Sequence, residues 1–275
     1  MAAPQVAGLG GMTDPEFPSD TDVLPGSRCA GESPSPQPPH WGFFATMTWA
    51  VVIMATHASL QLGTFAAVAK WYHTAPAEAA FWELVYSATD NGYFFSLSIF
   101  VTTIVGCAAI ARIVKLKPGS SLVEYLAIKP VSLRTMLAWS ALLVVLLFLE
   151  GAIGEVLGLR FSDDFMPTIY ATSSPAWMLW LAVIIGAPLF EETFFRGFLF
   201  AGLATSFVRP IGAAVVTAAM WTALHMQYDG VGTALLFFLG LLLGAARIAS
   251  GSLLAPLGIH ALENLLALLK TVALQ

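Results

Sequence analysis

The sequence predicts an all-α fold: a polytopic transmembrane helical bundle of about seven spans, six to eight when the ambiguous segments are counted either way. Three observations predict it. Hydrophobic residues make up 57% of the 275-residue chain and charged residues only 11%, against roughly a quarter charged in a soluble domain. The mean hydropathy is +0.77. From Trp41 onward, apolar runs long enough to cross a bilayer alternate with short polar breaks.

Residues 1–40 precede these runs. They are rich in Pro, Gly, Ser and Asp, close on SPSPQPPH, and carry no periodic apolar face. Such a segment buries too little surface to fold alone, so it reads as a disordered cytoplasmic tail. It lacks the basic and apolar regions of a signal peptide. The spans follow at 42–69, 93–115, 135–157, 177–204, 211–228, 231–248 and 252–272. The stretch AEAAFWELVYSA, residues 77–88, reads as an interfacial helix or a partial span. Residues 41–157 form an amino-terminal helical part and residues 177–272 a second part that holds the chemistry.

Basic residues set the orientation. Arg112, Lys115, Lys117, Lys129 and Arg134 fall in the break between the second and third spans, which places that break in the cytoplasm. Arg209 and Arg247 then also fall on cytoplasmic turns, and the amino terminus is inside. Within the basic break, LVEYLAIKPVSLRTMLAW alternates apolar and basic residues and reads as an amphipathic segment on the inner membrane surface. The absence of a basic patch and a pI near 5.5 argue against nucleic-acid binding. Cys29 lies in the tail and Cys107 in an apolar span, so no disulfide framework or cysteine-ligated metal site is expected.

The fourth span is anomalous. PLFEETFFRGFLF, residues 188–200, places Glu191, Glu192 and Arg196 where an ionised group costs on the order of 3 kcal/mol or more. Glu191 stands about 14 residues from Trp177 and from the turn at Thr205, roughly 20 Å from each end of the span. Glu192 and Arg196 are four apart with the acid nearer the amino end, the favourable order for a pair. Glu191 points about 100° away, so Arg196 cannot neutralise both acids equally. In the next span His225 lies about 14 residues beyond the turn at Arg209, level with Glu191 in an antiparallel helix. In the last span His260 and Asn264 share a face at a similar depth. Glu263 shares that depth on another face, with its partner open. His57 reads as an interhelical hydrogen bond, and Glu150 and Glu155 as the outer end of their span.

A carboxylate beside an imidazole in a dry site can take a proton from water. A second imidazole and an amide are donors suited to an oxyanion. Together these are the parts needed to hydrolyse a peptide bond without a covalent intermediate. EETFFRG, WTALH and HALEN resemble, in order, the EExxxR, FxxxH and HxxxN motifs of the CPBP family. That family comprises intramembrane glutamic proteases that include the type II CAAX-prenyl endopeptidases and bacteriocin-immunity proteins. Trp221 stands where Phe is usual, a conservative aromatic exchange. The resemblance implies that Glu191 and His225 activate the water, that His260 and Asn264 form the oxyanion hole, and that Glu192 and Arg196 organise the site, with no metal or other cofactor.

The expected protein is therefore a multi-pass intramembrane endopeptidase of a bacterial cytoplasmic membrane, acting on a membrane-anchored polypeptide in the lipid bilayer. Alternatives are a zinc site on Glu191, His225 and His260, and a non-catalytic immunity or scaffold protein of the same family. A proton-coupled transporter is disfavoured by the absence of an internal repeat with paired broken helices.

Overall fold

Where the hydropathy is high, the chain is helical. The structure is a computed structural model that describes residues 1–2, 39–74, 76, 78–158, 165–225, 228 and 230–273. Most of the expected tail, residues 3–38, lies outside the described residues. The described secondary structure is entirely helical: α1 (Phe43–Trp71), α2 (Phe81–Thr89), α3 (Gly92–Lys115), α4 (Leu122–Tyr125), α5 (Leu133–Leu157) and α6 (Phe165–Ala171) come first. They are followed by α7 (Ala176–Ala204), α8 (Arg209–Ala223), α9 (Gly230–Ser250) and α10 (Leu254–Ala273). Local chemistry marks several ends. The Asn91 side chain accepts from Phe94 N at 3.1 Å to start α3, and Ser132 accepts from Thr135 N at 3.1 Å to start α5. Gly158, at φ 64°, closes α5 in a left-handed turn that glycine adopts without a steric penalty.

Five of these helices, α1, α3, α5, α7 and α9, are long and apolar enough to cross a bilayer. The sequence reading of about seven is not reached. Its fifth span, 211–228, is broken: α8 has 15 residues and ends at Ala223, roughly 22 Å of helix against an apolar core of about 30 Å. Its seventh coincides with the 20 residues of α10, whose His260, Glu263, Asn264 and Lys270 lower its hydropathy. The segment at 77–88 forms the nine-residue α2 and no span.

α7 lies at the centre. Every residue from 192 to 203 is buried, whereas Leu137, Leu142, Val144, Val145 and Phe148 of α5 are exposed and form an apolar face suited to lipid. Small residues let the neighbours close on α7 and on one another. A side chain at Gly202 of α7 would meet Thr46 of α1, and one at Gly106 of α3 would meet the Phe190 ring. On α9, an added Cβ at Gly240 would come within 3.0 Å of the Ala218 Cβ, and one at Gly244 within 2.8 Å of the Ala214 Cβ, both on α8.

α7 is not a regular helix. Two stretches, Ala182–Gly186 and Thr193–Leu199, are π-helical, with hydrogen bonds that close on the fifth residue rather than the fourth. The expected amphipathic segment at 122–139 also differs from its reading. Only one turn, α4, is helical before Pro130 and the start of α5. Tyr125, Leu126 and Ala127 are buried. Tyr125 stacks on Phe198 at 5.9 Å, and the Ala127 carbonyl accepts from Leu253 N at 2.9 Å. Burial pushes the Tyr125 phenol up to about 12. Tyr125, Leu126 and Ala127 thus pack into the bundle, whereas Val123, Leu133 and Leu137 of the same segment stay exposed.

The α8–α9 seam gives a stability prediction. Gly244→Leu has no room and should lose about 1–3 kcal/mol, read as a lower midpoint of thermal unfolding in detergent. Gly63→Leu, at a position of α1 with nothing within 4 Å, should leave the midpoint unchanged.

Candidate active site

Four parts of the chain supply the predicted residues and their partners. α7 supplies Glu191, Glu192 and Arg196, the end of α8 supplies Trp221 and the turn after it His225, α9 supplies the Gly240 carbonyl, and α10 supplies His260 and Asn264.

The inner part is an ion pair without access to solvent. Arg196 Nη1 donates to Glu192 Oε1 at 2.9 Å, and both side chains are 0% exposed. Arg196 Nη2 donates to the Gly240 carbonyl oxygen at 3.1 Å. The guanidinium carbon lies 5.0 Å from the Trp221 ring centroid, a cation over an aromatic face. Glu192 Oε1 also accepts from His260 Nδ1 at 2.8 Å. Glu192 is thus shared between a guanidinium and an imidazole.

Glu191 is held differently. Its side chain is 23% exposed. Its Oε2 accepts from the Trp221 indole Nε1 and lies 3.9 Å from His260 Nε2. The expectation that Arg196 serves one acid and leaves the other agrees with this arrangement. Trp221 is also more than a conservative exchange: a phenylalanine has no N–H to offer the carboxylate.

His225 lies two residues beyond the end of α8, not within a continuous helix. Its Nδ1 is 2.9 Å from the Trp221 carbonyl oxygen. A carbonyl only accepts, so Nδ1 carries the proton and Nε2 of the neutral ring bears a lone pair. The His225 ring meets Trp221 edge-on at 4.8 Å and His260 meets the same indole at 5.3 Å. Glu191 and His225 therefore share Trp221 as a common neighbour: the indole N–H binds one and the peptide carbonyl orients the other.

Asn264 donates through Nδ2 to the Val183 carbonyl oxygen at 2.7 Å, inside the first π stretch of α7. One N–H of its amide remains for another acceptor. Among the described residues His57 makes no interhelical hydrogen bond. Its ring stacks on Phe190 at 4.1 Å and 11°, and its Nδ1 is buried without a partner. Glu192 Oε2, Arg196 Nε and Thr222 Oγ1 are likewise buried and unpartnered among the described residues, atoms that water bound in the site would satisfy. Among the described residues no three His, Cys, Asp or Glu side chains converge into a metal-binding group.

Sequence reasoning missed three contributors. The Trp221 indole was legible as an aromatic but not as a donor. The Gly240 carbonyl carries no side-chain signal. Arg247 of α9, whose Nε donates to the Arg196 carbonyl oxygen at 3.0 Å, was visible only as a basic residue near a turn.

Residues 173–266 match the family model for Rce1-like type II CAAX prenyl endopeptidases, the family suspected from the three motifs. The matched segment holds all six predicted site residues. A curated Escherichia coli protein, described as an uncharacterized 24.3 kDa protein, is 35% identical over 121 residues, which is 42% of this chain and 55% of that protein. The chain thus spans about half the length of the curated relative it matches. No solved structure matches. With five helices fit to cross a membrane, the chain is a multi-pass membrane protein with a CAAX-protease-like region over residues 173–266.

The buried pair makes a sharp prediction. Glu192→Gln leaves the Arg196 charge uncompensated and should destabilise the protein by about 3–5 kcal/mol. Glu192→Gln combined with Arg196→Met should cost less than the sum of the two single changes. Thermal unfolding of the purified proteins in one detergent would measure both.

Proposed function

We propose that the chain is an intramembrane endopeptidase that hydrolyses a peptide bond of a membrane-anchored polypeptide, using water activated by Glu191 and His225. The observation that carries this reading is the unequal treatment of two adjacent glutamates. Glu192 is spent on Arg196 and His260. Glu191 keeps a partly open carboxylate whose one hydrogen-bond donor, the Trp221 indole, is neutral.

In this reading a water lies between Glu191 and Nε2 of His225. One of these groups takes its proton as the water oxygen bonds to the substrate carbonyl carbon. The carbonyl oxygen gains the electron pair and becomes an oxyanion. The free N–H of the Asn264 amide and Nε2 of His260 receive it. Because Nδ1–H of His260 is committed to Glu192, the ring donates from Nε2 as imidazolium. The C–N bond then breaks, and the proton held by Glu191 or His225 passes to the departing amine. Glu192 and Arg196 hold His260 throughout and touch no substrate.

The proposed setting is a bacterial cytoplasmic membrane, with the basic break at 112–134 inside. The proposed site needs no metal, in contrast to the zinc alternative on Glu191, His225 and His260.

The test compares peptide termini in membranes from cells that express the wild type or Glu191→Gln at matched levels. The expected outcome is a set of termini made only by the wild type, unchanged in yield when a zinc chelator is added to isolated membranes. Loss of those termini with chelator would move the reading to a zinc protease. Identical termini in both strains, under conditions where the wild type has a phenotype, would leave a binding or immunity role.

A further inference from the structure

Arg247 belongs to none of the three motifs, and yet it is 8% exposed, inside the bundle. Among the described residues no carboxylate pairs with it. Its Nε donates to the Arg196 carbonyl oxygen at 3.0 Å, and its guanidinium carbon lies 5.0 Å from the Phe200 ring centroid. A cation buried without a counter-ion is costly in a membrane protein, and such residues are rarely idle. A leucine or methionine would fill the same space with no charge to desolvate. What arginine adds is a donor for one backbone carbonyl.

That carbonyl lies within the π stretch Thr193–Leu199, where the turn is wide and its hydrogen bonds run one residue further than in an α-helix. Seven residues before Arg247, two turns along the same face of α9, the Gly240 carbonyl accepts from Arg196 Nη2 at 3.1 Å. α9 therefore grips Arg196 at both ends, by its backbone through Arg247 and by its guanidinium through Gly240. Held in this way, Arg196 presents Nη1 to Glu192 at 2.9 Å, and Glu192 presents the same oxygen to His260 at 2.8 Å. A shift of the π stretch would pass along this chain to the imidazole.

We propose that Arg247 is a positioning residue for the site: it fixes the widened turn of α7 so that Arg196 and Glu192 orient His260. Only the activity readout of this proposal rests on the protease reading. Its stated contacts are the Arg196 carbonyl and the Phe200 ring, so its influence reaches His260 by way of Arg196 and Glu192.

The test uses the full chain in lipid nanodiscs, with ¹⁵N-labelled histidine. The His260 ring signals are assigned by their loss in His260→Gln. Arg247→Met removes the donor with similar bulk, and Arg247→Lys keeps one. Arg247→Met should displace the His260 ring signals and leave those of His73 in place. Arg247→Lys should return the His260 signals toward the wild type. Where wild-type-dependent termini are found, their rate of formation should fall roughly tenfold or more in Arg247→Met, the order expected for a lost hydrogen bond from a charged donor, and recover in part with Arg247→Lys. Unchanged His260 signals in Arg247→Met would overturn the proposal. Displacement of all histidine signals together, equally in both variants, would also overturn it, because it would mark general unfolding. Should Arg247→Met fail to accumulate, Arg247→Lys decides: wild-type His260 signals support the proposal and displaced ones count against it. A wild type that makes no new termini would sink the protease reading and leave the His260 comparison intact.

Discussion

The arrangement depends on one interaction, the solvent-free ion pair of Arg196 and Glu192. A guanidinium in the middle of an apolar bundle is costly unless its charge is met and most of its N–H groups are paired. Glu192 meets the charge, the Gly240 carbonyl takes a second N–H, and the Trp221 face covers the cation, while the buried Nε has no partner among the described residues. Each of these partners sits on a different turn or a different helix. Satisfying one arginine therefore fixes α7, α8 and α9 against one another. His260 then attaches α10 to the same carboxylate oxygen. The positions of the site residues follow from neutralising one cation, before any chemistry is considered.

The irregularity of α7 is what lets one helix serve so many neighbours. In a regular helix each carbonyl is committed to the amide four residues on, and outside donors find little to bind. The two π stretches loosen that commitment. Val183 and Gly186, in the first, accept from the Asn264 amide and the Thr103 hydroxyl. Arg196, in the second, accepts from Arg247. Three helices, α10, α3 and α9, are thus tied to α7 through carbonyls of its widened turns. In a membrane, where an unsatisfied carbonyl is expensive, such ties are both a requirement and a means of placing side chains.

Much of this was legible in the sequence, and the rest was hidden for identifiable reasons. Hydropathy located the helices because apolar length is a local property. The Glu192–Arg196 pair was readable because four residues of helix bring side chains together whether or not one turn is widened. Counting residues from shared turns set Glu191, His225, His260 and Asn264 at one expected depth; in the structure Glu191 and His225 both meet Trp221, His260 meets Glu192, Asn264 meets the Val183 carbonyl, and the end of α8 at Ala223 puts His225 in a turn rather than on a helix. About seven spans were expected and five helices of the described residues are long and apolar enough, the difference lying in α8, which is short, and α10, which is polar. Partner choice was out of reach. Nothing in HALEN says that His260 turns to Glu192 and Asn264 to a backbone carbonyl, and nothing in WTALH says that the indole N–H points at Glu191.

The indole also explains how two neighbouring acids come to differ. Adjacent residues on a helix diverge by about 100°, so Glu191 and Glu192 meet different surroundings although they share a backbone. Glu192 faces a full positive charge, the Arg196 guanidinium at 2.9 Å. Glu191 takes its hydrogen bond among the described residues from a neutral N–H, which orients one carboxylate oxygen, and His260 Nε2 stands farther off at 3.9 Å. A second arginine in place of Trp221 would hold Glu191 as firmly and would spend its charge in doing so. A phenylalanine would leave the charge but let the carboxylate swing. Tryptophan is the side chain that both packs against Arg196 and donates its N–H to Glu191.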